Sequence, residues 1–500
     1  MPAILRLERL SPRQRNRARD YSDLDNNREF GRGFLQRSAQ LLDRTVFLGL
    51  LALIVLTTIP YGTAEPWWEA LFEVAVFCLT AIWILAVLLR GSWQIKDLFI
   101  LVPLILLTCY AFAQTVVTPG WLMRGGNISQ HTLSIDPYQT YLTATKALAL
   151  TLFLGLLLLH TSSPRRLRWL VGVVIALGLA SALFGIIRQL FQTKDGFVLP
   201  FLFVDVGYGQ FIYHNAFAYL MEMVFGLLAG LVLGGGVRRE RAPIYIAIAL
   251  LVWTAFVFSN SRGGILAFLV QTVFLAFVSW TWYSARRSSS GNDRRAGWSS
   301  FIRTSLVVRL SAILLIVGVL AAGVLWMGGE RLADKLRDER EFRQDTPDGA
   351  SRIALWQASW KLIKQHPWTG VGFGAYFLAI PEHQMVSGKV KFEQAHNDYL
   401  DLAASGGIVA VGLAGWFVVL VIRRSRAAWR SADPYRRAVC FGAWAGILGV
   451  GVHSILDFCL QLTGIAVVFA ALVVMAIANG RVEATSGNSR TYRFVQNGKS

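Results

Sequence analysis

Apolar residues fall in long uninterrupted blocks, not in the period-two alternation of a half-buried strand. A bilayer core about 30 Å thick needs about 20 apolar residues at about 1.5 Å each. Blocks of that kind are read near 45–60, 68–89, 98–115, 141–160, 168–188, 211–235, 243–258, 263–283, 306–327, 406–422, 438–455 and 462–479. They predict an all-α integral membrane protein with about 12 transmembrane helices. The gaps divide the chain further: a polar tail at 1–44, nine helices over 45–327, one large loop at 328–405, three helices over 406–480 and a second tail at 481–500. The first apolar block follows a polar tail, which predicts an uncleaved anchor in place of a signal peptide.

Composition agrees with lipid as the solvent: 54% of residues are hydrophobic, with Gly 45 and Trp 17. Glycine permits close helix approach and tryptophan suits the interface. A net charge of +19 invites a nucleic-acid reading. The distribution of that charge excludes it, because no single folded domain gathers it. Basic groups occupy the tail 1–44, Arg165, Arg166 and Arg168, Arg238, Arg239 and Arg241, Arg286, Arg287, Arg294 and Arg295, and Arg423, Arg424, Arg426, Arg436 and Arg437. With the predicted helices, all of these fall on one side. The positive-inside rule makes that side cytoplasmic, with both termini there and the large loop periplasmic.

The connector Ser284–Arg303, with its Ser-Ser-Ser-Gly-Asn run, reads as a flexible linker. Within the large loop, Ser351–Gln365 reads as a short amphipathic helix capped by Ser351. Its stripe Ile353, Trp356, Trp360 and Ile363 is expected to rest on the membrane surface or on the bundle. The run Gly370 to Gly374 predicts a tight backbone path; no Lys-Ser/Thr follows it, so it is no nucleotide loop. The cysteines Cys78, Cys109, Cys440 and Cys459 lie within or at the ends of helices, lack metal-ligand spacing and predict no disulfide.

Ionisable residues at a membrane boundary are costly and therefore candidates for chemistry. Four patches stand out. Ser259 to Gly264 forms a very short turn that places Arg262 on the side where arginine is otherwise scarce, and a guanidinium fork suits phosphate oxygens. Gln394 to Asp401 ends the large loop; it offers His396 as a base for a hydroxyl, with Asn397 and Asp398 beside it. Tyr213-His214-Asn215 opens the helix that carries Glu222, expected about 16 Å along it. Glu222 must be paired, protonated or facing a wet cavity. His453 and Asp457 fall four apart and are expected on one helix face as a hydrogen-bonded pair. Asp23-Leu-Asp25 has metal-motif spacing but sits in the polar tail, remote from the rest.

Taken in order, His214-Asn215-Ala-Phe-Ala-Tyr-Leu, Ser261-Arg262-Gly263-Gly264, Arg352 with Trp356, Pro367 with Gly370 to Gly374, and Ala395-His396-Asn397-Asp398-Tyr399-Leu400 resemble one family. It is the O-antigen ligase and O-antigen polymerase family of bacterial membrane glycosyltransferases. The resemblance runs from Tyr213 to about Leu462; the helices before it resemble the family only in hydropathy. It implies transfer of a glycan from undecaprenyl diphosphate to a hydroxyl acceptor at the periplasmic face of the inner membrane. The acceptor is lipid A-core, another glycan or a protein. It also implies an inverting reaction without metal, nucleotide sugar or other cofactor. Arg262 matches the diphosphate-binding arginine, His396 the proposed base, and Arg352 is the candidate for a further donor contact. His214, Asn215, Asn397, Asp398, Glu222, His453 and Asp457 are the expected substrate-binding set. A transporter or flippase fits a dozen helices, but the two halves lack the matched repeats of such folds. A non-catalytic envelope scaffold is the third reading.

Overall fold

The structure is a computed structural model that describes residues 12–91, 98–118, 131–192, 207–289, 352–383 and 392–478. Its helices are α1 (Pro12–Leu56), α2 (Pro66–Arg90), α3 (Val102–Gln114), α4 (Pro137–His160), α5 (Pro164–Phe191), α6 (His214–Leu233), α7 (Ala242–Ser259), α8 (Arg262–Ser289), α9 (Arg352–Gln365), α10 (Tyr376–Ala379), α11 (Asp398–Trp429), α12 (Pro434–His453) and α13 (Thr463–Ile477). The one sheet among the described residues is a two-residue antiparallel ladder, Val117–Thr118 against His131–Thr132. Proline stands in the first turn of α2, α4, α5, α7 and α12, where its missing N–H costs nothing.

Eight described helices are long and apolar enough to cross a membrane. The helix over Leu98–Gln114 and α13 are apolar but shorter, and α12 carries Arg436 and Arg437 in its first turn. The block expected near 306–327 lies outside the described residues, as do most of the linker Ser284–Arg303 and the loop up to 351. Part of the polar tail is helical, since α1 begins at Pro12.

The centre of the bundle is an antiparallel contact between α6 and α12. Gly226 and Gly230 on α6 face Gly446 and Gly442 on α12; a Cβ on Gly230 would stand 2.2 Å from the Gly442 Cα, and one on Gly226 2.7 Å from the Gly446 nitrogen. Small residues spaced four apart let the two backbones touch, the main source of helix association in lipid. Extended by one or two turns, this register sets Glu222 of α6 opposite His453 of α12.

The chain from Pro367 to Gly374 docks into a break in α11. Gly407 interrupts that helix at φ 61°, and the Ile408 N–H donates to the Pro367 carbonyl at 2.9 Å. Val371 and Gly372 donate to the carbonyls of Ala404 and Ser405 at 2.9 and 3.0 Å. Gly370, Gly372 and Gly374 all have positive φ, which meets the expectation of a tight path. Gln114 of α3 clamps the junction, donating to Thr369 at 2.8 Å and accepting from the Phe373 N–H at 3.2 Å. Helix α11 therefore starts at Asp398, inside what the sequence suggested was loop.

Of the two settings expected for the aromatic stripe of α9, membrane surface or bundle, the bundle mostly takes a different face of the helix. In α9 the buried residues are Leu355, Ala358, Ser359 and Leu362, while Ile353 and Trp360 are exposed. The bundle takes the smaller aliphatic stripe, and the exposed aromatic stripe is left to the surroundings. Ser351, its expected cap, lies outside the described residues.

Candidate functional site

The site is organised by the turn that follows α12, residues 453 to 458. Helix α12 ends at His453, so His453 and Asp457 do not share a helix face; each finds a partner elsewhere. That corrects the expected pairing. The Leu456 N–H returns to the His453 carbonyl at 2.8 Å and closes the turn.

Three segments converge on this turn. Asp398 donates its N–H to the carbonyls of Ser454 and Asp457 at 3.0 and 3.2 Å. Asn397 caps α11, its Oδ1 accepting from Tyr399 and Leu400 at 2.9 and 3.0 Å, while its Nδ2 donates to the Ile455 carbonyl at 2.8 Å. Tyr399 donates its hydroxyl to the Gly451 carbonyl at 2.7 Å. From the large loop, Arg352 donates from Nη1 to the Leu456 carbonyl at 2.7 Å. From α6, Asn215 donates from Nδ2 to the Asp457 carboxylate.

His396 is held in the left-handed region at φ 48°. A residue other than glycine pays about 1–3 kcal/mol there, and such strain survives only where neighbours impose it. The neighbours are Ala395, whose N–H donates to Asp401 Oδ2 at 3.1 Å, and the pinned residues Asn397 and Asp398. The result brings His396 Nδ1 to 3.9 Å from Asp457 Oδ1, with 34% of the imidazole side chain exposed against 4% of the carboxylate. Phe458 stands edge-on to the ring, 4.8 Å between centroids. At 3.9 Å the contact is one of charge, too long for a hydrogen bond, and it sets a carboxylate on the Nδ1 side of the ring.

Arg262 begins α8 after Asn260, which ends α7 in the left-handed region at φ 55°. Asparagine tolerates that conformation better than most residues. Ser261 accepts the Gly264 N–H at 3.2 Å and its hydroxyl meets His453 Nε2 at 3.3 Å. On its other nitrogen, His453 Nδ1 contacts Glu222 Oε1 at 2.7 Å. Glu222 is thus paired, one of the three states expected of it. Helix α6 begins at His214, which places Glu222 about 12 Å along it, from the 1.5 Å rise, and not 16 Å.

Arg262, Arg352, Asn215, Asn397, Asp398, Glu222, His396, His453 and Asp457 therefore all belong to segments fastened to one short turn. The contacts differ in kind. Asn397 spends both ends of its amide on the backbone, and Glu222 and His453 are buried at 0% and 1% exposure, so these three hold the site and do not face substrate. His214 is exposed at the start of α6. Sequence reasoning did not single out Ser454 or Phe458. Tyr213 stacks edge-on to Phe458 at 5.7 Å; burial first, then the nearby ionisable groups of Glu393, Cys459 and Asp457, holds its hydroxyl above the ordinary value. Burial likewise pushes the Cys459 thiol up, aided by Asp457 and Asp398, so it stays neutral.

Beside the turn opens a cavity of about 710 Å³, within the range of small-ligand sites. Gln394, Asp398 and Asp401 line it from the His396 segment, Gln139 and Lys146 from α4, and Phe373 from the glycine run. Lys146 is tied to Glu69 at 2.6 Å, and Thr463 donates to the same carboxylate at 3.1 Å. These contacts join α4, α2 and α13 at the end of the bundle that holds the site. The basic groups at 165–168, 238–241, 423–426 and 436–437 sit at the opposite helix ends.

Residues 246–417 match the family model described as O-antigen ligase. That stretch contains Arg262, Arg352, His396, Asn397 and Asp398. Over that stretch the chain is similar to the O-antigen ligase family. A similar protein is the general O-oligosaccharyltransferase of Acinetobacter baylyi (strain ATCC 33305 / BD413 / ADP1), 23% identical over 322 residues, which cover 62% of this chain and 51% of the relative. The chain thus spans about half the length of that curated relative. The strained His396 falls inside the stretch that matches the family model.

Proposed function

We propose that this protein transfers a glycan from an undecaprenyl-diphosphate carrier to an acceptor hydroxyl at the periplasmic face of the bacterial inner membrane, as an O-antigen ligase with lipid A-core as acceptor. The single observation that carries the reading is the turn 453–458. It fastens a partly exposed imidazole, with a carboxylate 3.9 Å away, beside the segments that carry Arg262 and Arg352.

In the proposed step the acceptor oxygen attacks the anomeric carbon and passes its proton to His396. The bond from that carbon to the carrier's phosphate oxygen breaks, and undecaprenyl diphosphate leaves with the electron pair. Attack opposite the leaving group inverts the anomeric centre. A positioned base of suitable pKa contributes about 10²–10⁴-fold. Charge grows on the departing phosphate oxygen, and Arg262 with Arg352 supplies fixed positive charge there without a metal or other cofactor. Asp457 steadies the imidazolium as it forms. The hydroxyl-rich acceptor takes the cavity beside the turn. Its lining groups Gln139, Glu393 and Gln394 offer hydrogen bonds to sugar hydroxyls.

One observation favours a second acceptor. The matched relative is named an O-oligosaccharyltransferase, which fits a protein hydroxyl in place of lipid A-core; polymerisation onto another glycan uses the same step. The test is transfer by the purified protein from a defined undecaprenyl-diphosphate glycan to lipid A-core, glycan and protein acceptors. The expected result is product with one class of acceptor, abolished by Arg262→Ala and by His396→Ala while both variants still insert. Full activity in either variant overturns the site assignment. Substrate-dependent transport in liposomes without transfer would replace the reading by a flippase.

A further inference from the structure

Two buried ionisable side chains remain without a role in that step. Glu222 and His453 come from the facing helices α6 and α12, at 0% and 1% exposure, and burial of such a pair in a bundle carries a desolvation cost. The second carboxylate oxygen, Glu222 Oε2, has no hydrogen-bond partner among the described residues. The pair is therefore poorly explained as a device for stability alone.

Its surroundings point to a different task. The residues on both sides of Arg262 press against the imidazole. Ser261 meets Nε2 through its hydroxyl at 3.3 Å; a Cβ on Gly263 would lie 2.4 Å from His453 Cδ2 and 2.6 Å from Nε2. The next residue approaches the carboxylate, where a Cβ on Gly264 would stand 3.0 Å from Glu222 Oε1. Tyr219 covers the ring face at 4.1 Å between centroids and donates to Ser454 at 3.2 Å. Carboxylate, imidazole and hydroxyl thus form a chain through three helices, ending at the backbone that carries Arg262. The connectivity resembles a hydrolase triad, but Ser261 is buried and its oxygen already accepts the Gly264 N–H, so it faces no substrate.

We propose that the buried Glu222–His453 pair is a positioning device that sets the Arg262 backbone, and so its guanidinium, against the donor diphosphate. The two glycines after Arg262 are the complement of this device, since any larger residue would push the turn off the ring. The inference rests on the reading of Arg262 as the diphosphate contact. Being one residue ahead of Ser454, His453 also couples the Arg262 turn to the segment that holds His396.

The experiment compares the full-length protein with its Glu222→Ala, Glu222→Gln and Ser261→Ala variants in nanodiscs. Two readouts are taken: affinity for undecaprenyl diphosphate alone, and KM for the glycan-loaded donor and for the acceptor. E222A is expected to weaken carrier-diphosphate affinity and raise donor KM about tenfold, with acceptor KM unchanged. E222Q keeps an oxygen for Nδ1 and should recover affinity to within about threefold of wild type. S261A, which opens little space, should give a smaller loss in the same readouts and serves if E222A fails to insert. Wild-type carrier affinity in a folded E222A or S261A variant overturns the proposal. So does an equal loss for donor and acceptor that follows thermal stability. If wild type binds the carrier diphosphate but transfers nothing, the transfer reading falls while the positioning claim is still judged by affinity.

Discussion

Two histidine–carboxylate pairs bracket one turn and differ in almost everything else. On its inner side His453 meets Glu222 at 2.7 Å, with side chains 1% and 0% exposed. On its outer side His396 stands 3.9 Å from Asp457, with a third of the imidazole open. A short, fully desolvated contact between rigid helices holds position strongly and exchanges nothing with solvent. A longer contact with a partly exposed ring leaves the imidazole open to exchange protons with its surroundings. The same two side-chain types thus suit a lock in one place and, in the proposed reaction, a base in the other. Burial, not residue identity, decides which.

The largest effect should come from removing the outer imidazole. His396→Ala is expected to lower the single-turnover transfer rate by about 10²–10⁴-fold, with affinity for undecaprenyl diphosphate unchanged. Asp457→Asn comes next. It keeps the acceptor for the Phe458 N–H at 2.9 Å but loses the charge that orients the ring, so the rate should fall about 10–100-fold. A rate equal to wild type in D457N would mean that the outer pair is as structural as the inner one. Gly263→Ala attacks the inner pair. Its Cβ must displace a buried imidazole, which should raise donor KM about fivefold and leave the rate at saturation nearly intact, a split read from initial velocities.

The helices were legible because lipid imposes a simple rule: long apolar blocks with satisfied backbones. Hydropathy located α2, α4, α6, α7 and α8 to within a few residues. Arg262 and His396 stand out in the sequence because charge and imidazole at a membrane boundary need a reason; Arg352 is singled out only through the family resemblance. What could not be read was partnership. His453 and Asp457 have helical spacing, yet the helix ends at His453; nothing in Ser454-Ile-Leu-Asp457 forces that stop as a proline would. Glu222 was known to need company, but its partner lies on α12, brought there by glycines at 226, 230, 442 and 446 that look unremarkable in either helix alone. In α9 the bundle takes Leu355 and Leu362 and not the larger tryptophans, and the tight space beside Tyr376 admits Ser359, whose hydroxyl lies 2.7 Å from the tyrosine oxygen.

The smallest effect is the most discriminating. Asn397 adjoins His396 and touches no part of the inner pair. Its Oδ1 caps α11 and its Nδ2 holds the Ile455 carbonyl. Asn397→Ala should therefore cost about 1 kcal/mol from the lost cap and lower the transfer rate a few-fold, because the strained φ at His396 loses one of its restraints. Affinity for undecaprenyl diphosphate should stay at the wild-type value, since nothing joins Asn397 to the Arg262 turn except the common turn itself. Asn397→Asp keeps the cap and removes only the Nδ2 donor. Thermal stability should then recover while the rate remains low, which would assign the rate loss to the Ile455 contact. If instead carrier affinity falls together with the rate in N397D, the two sides of the turn move as one body, and the division of labour between the inner and outer pairs does not hold.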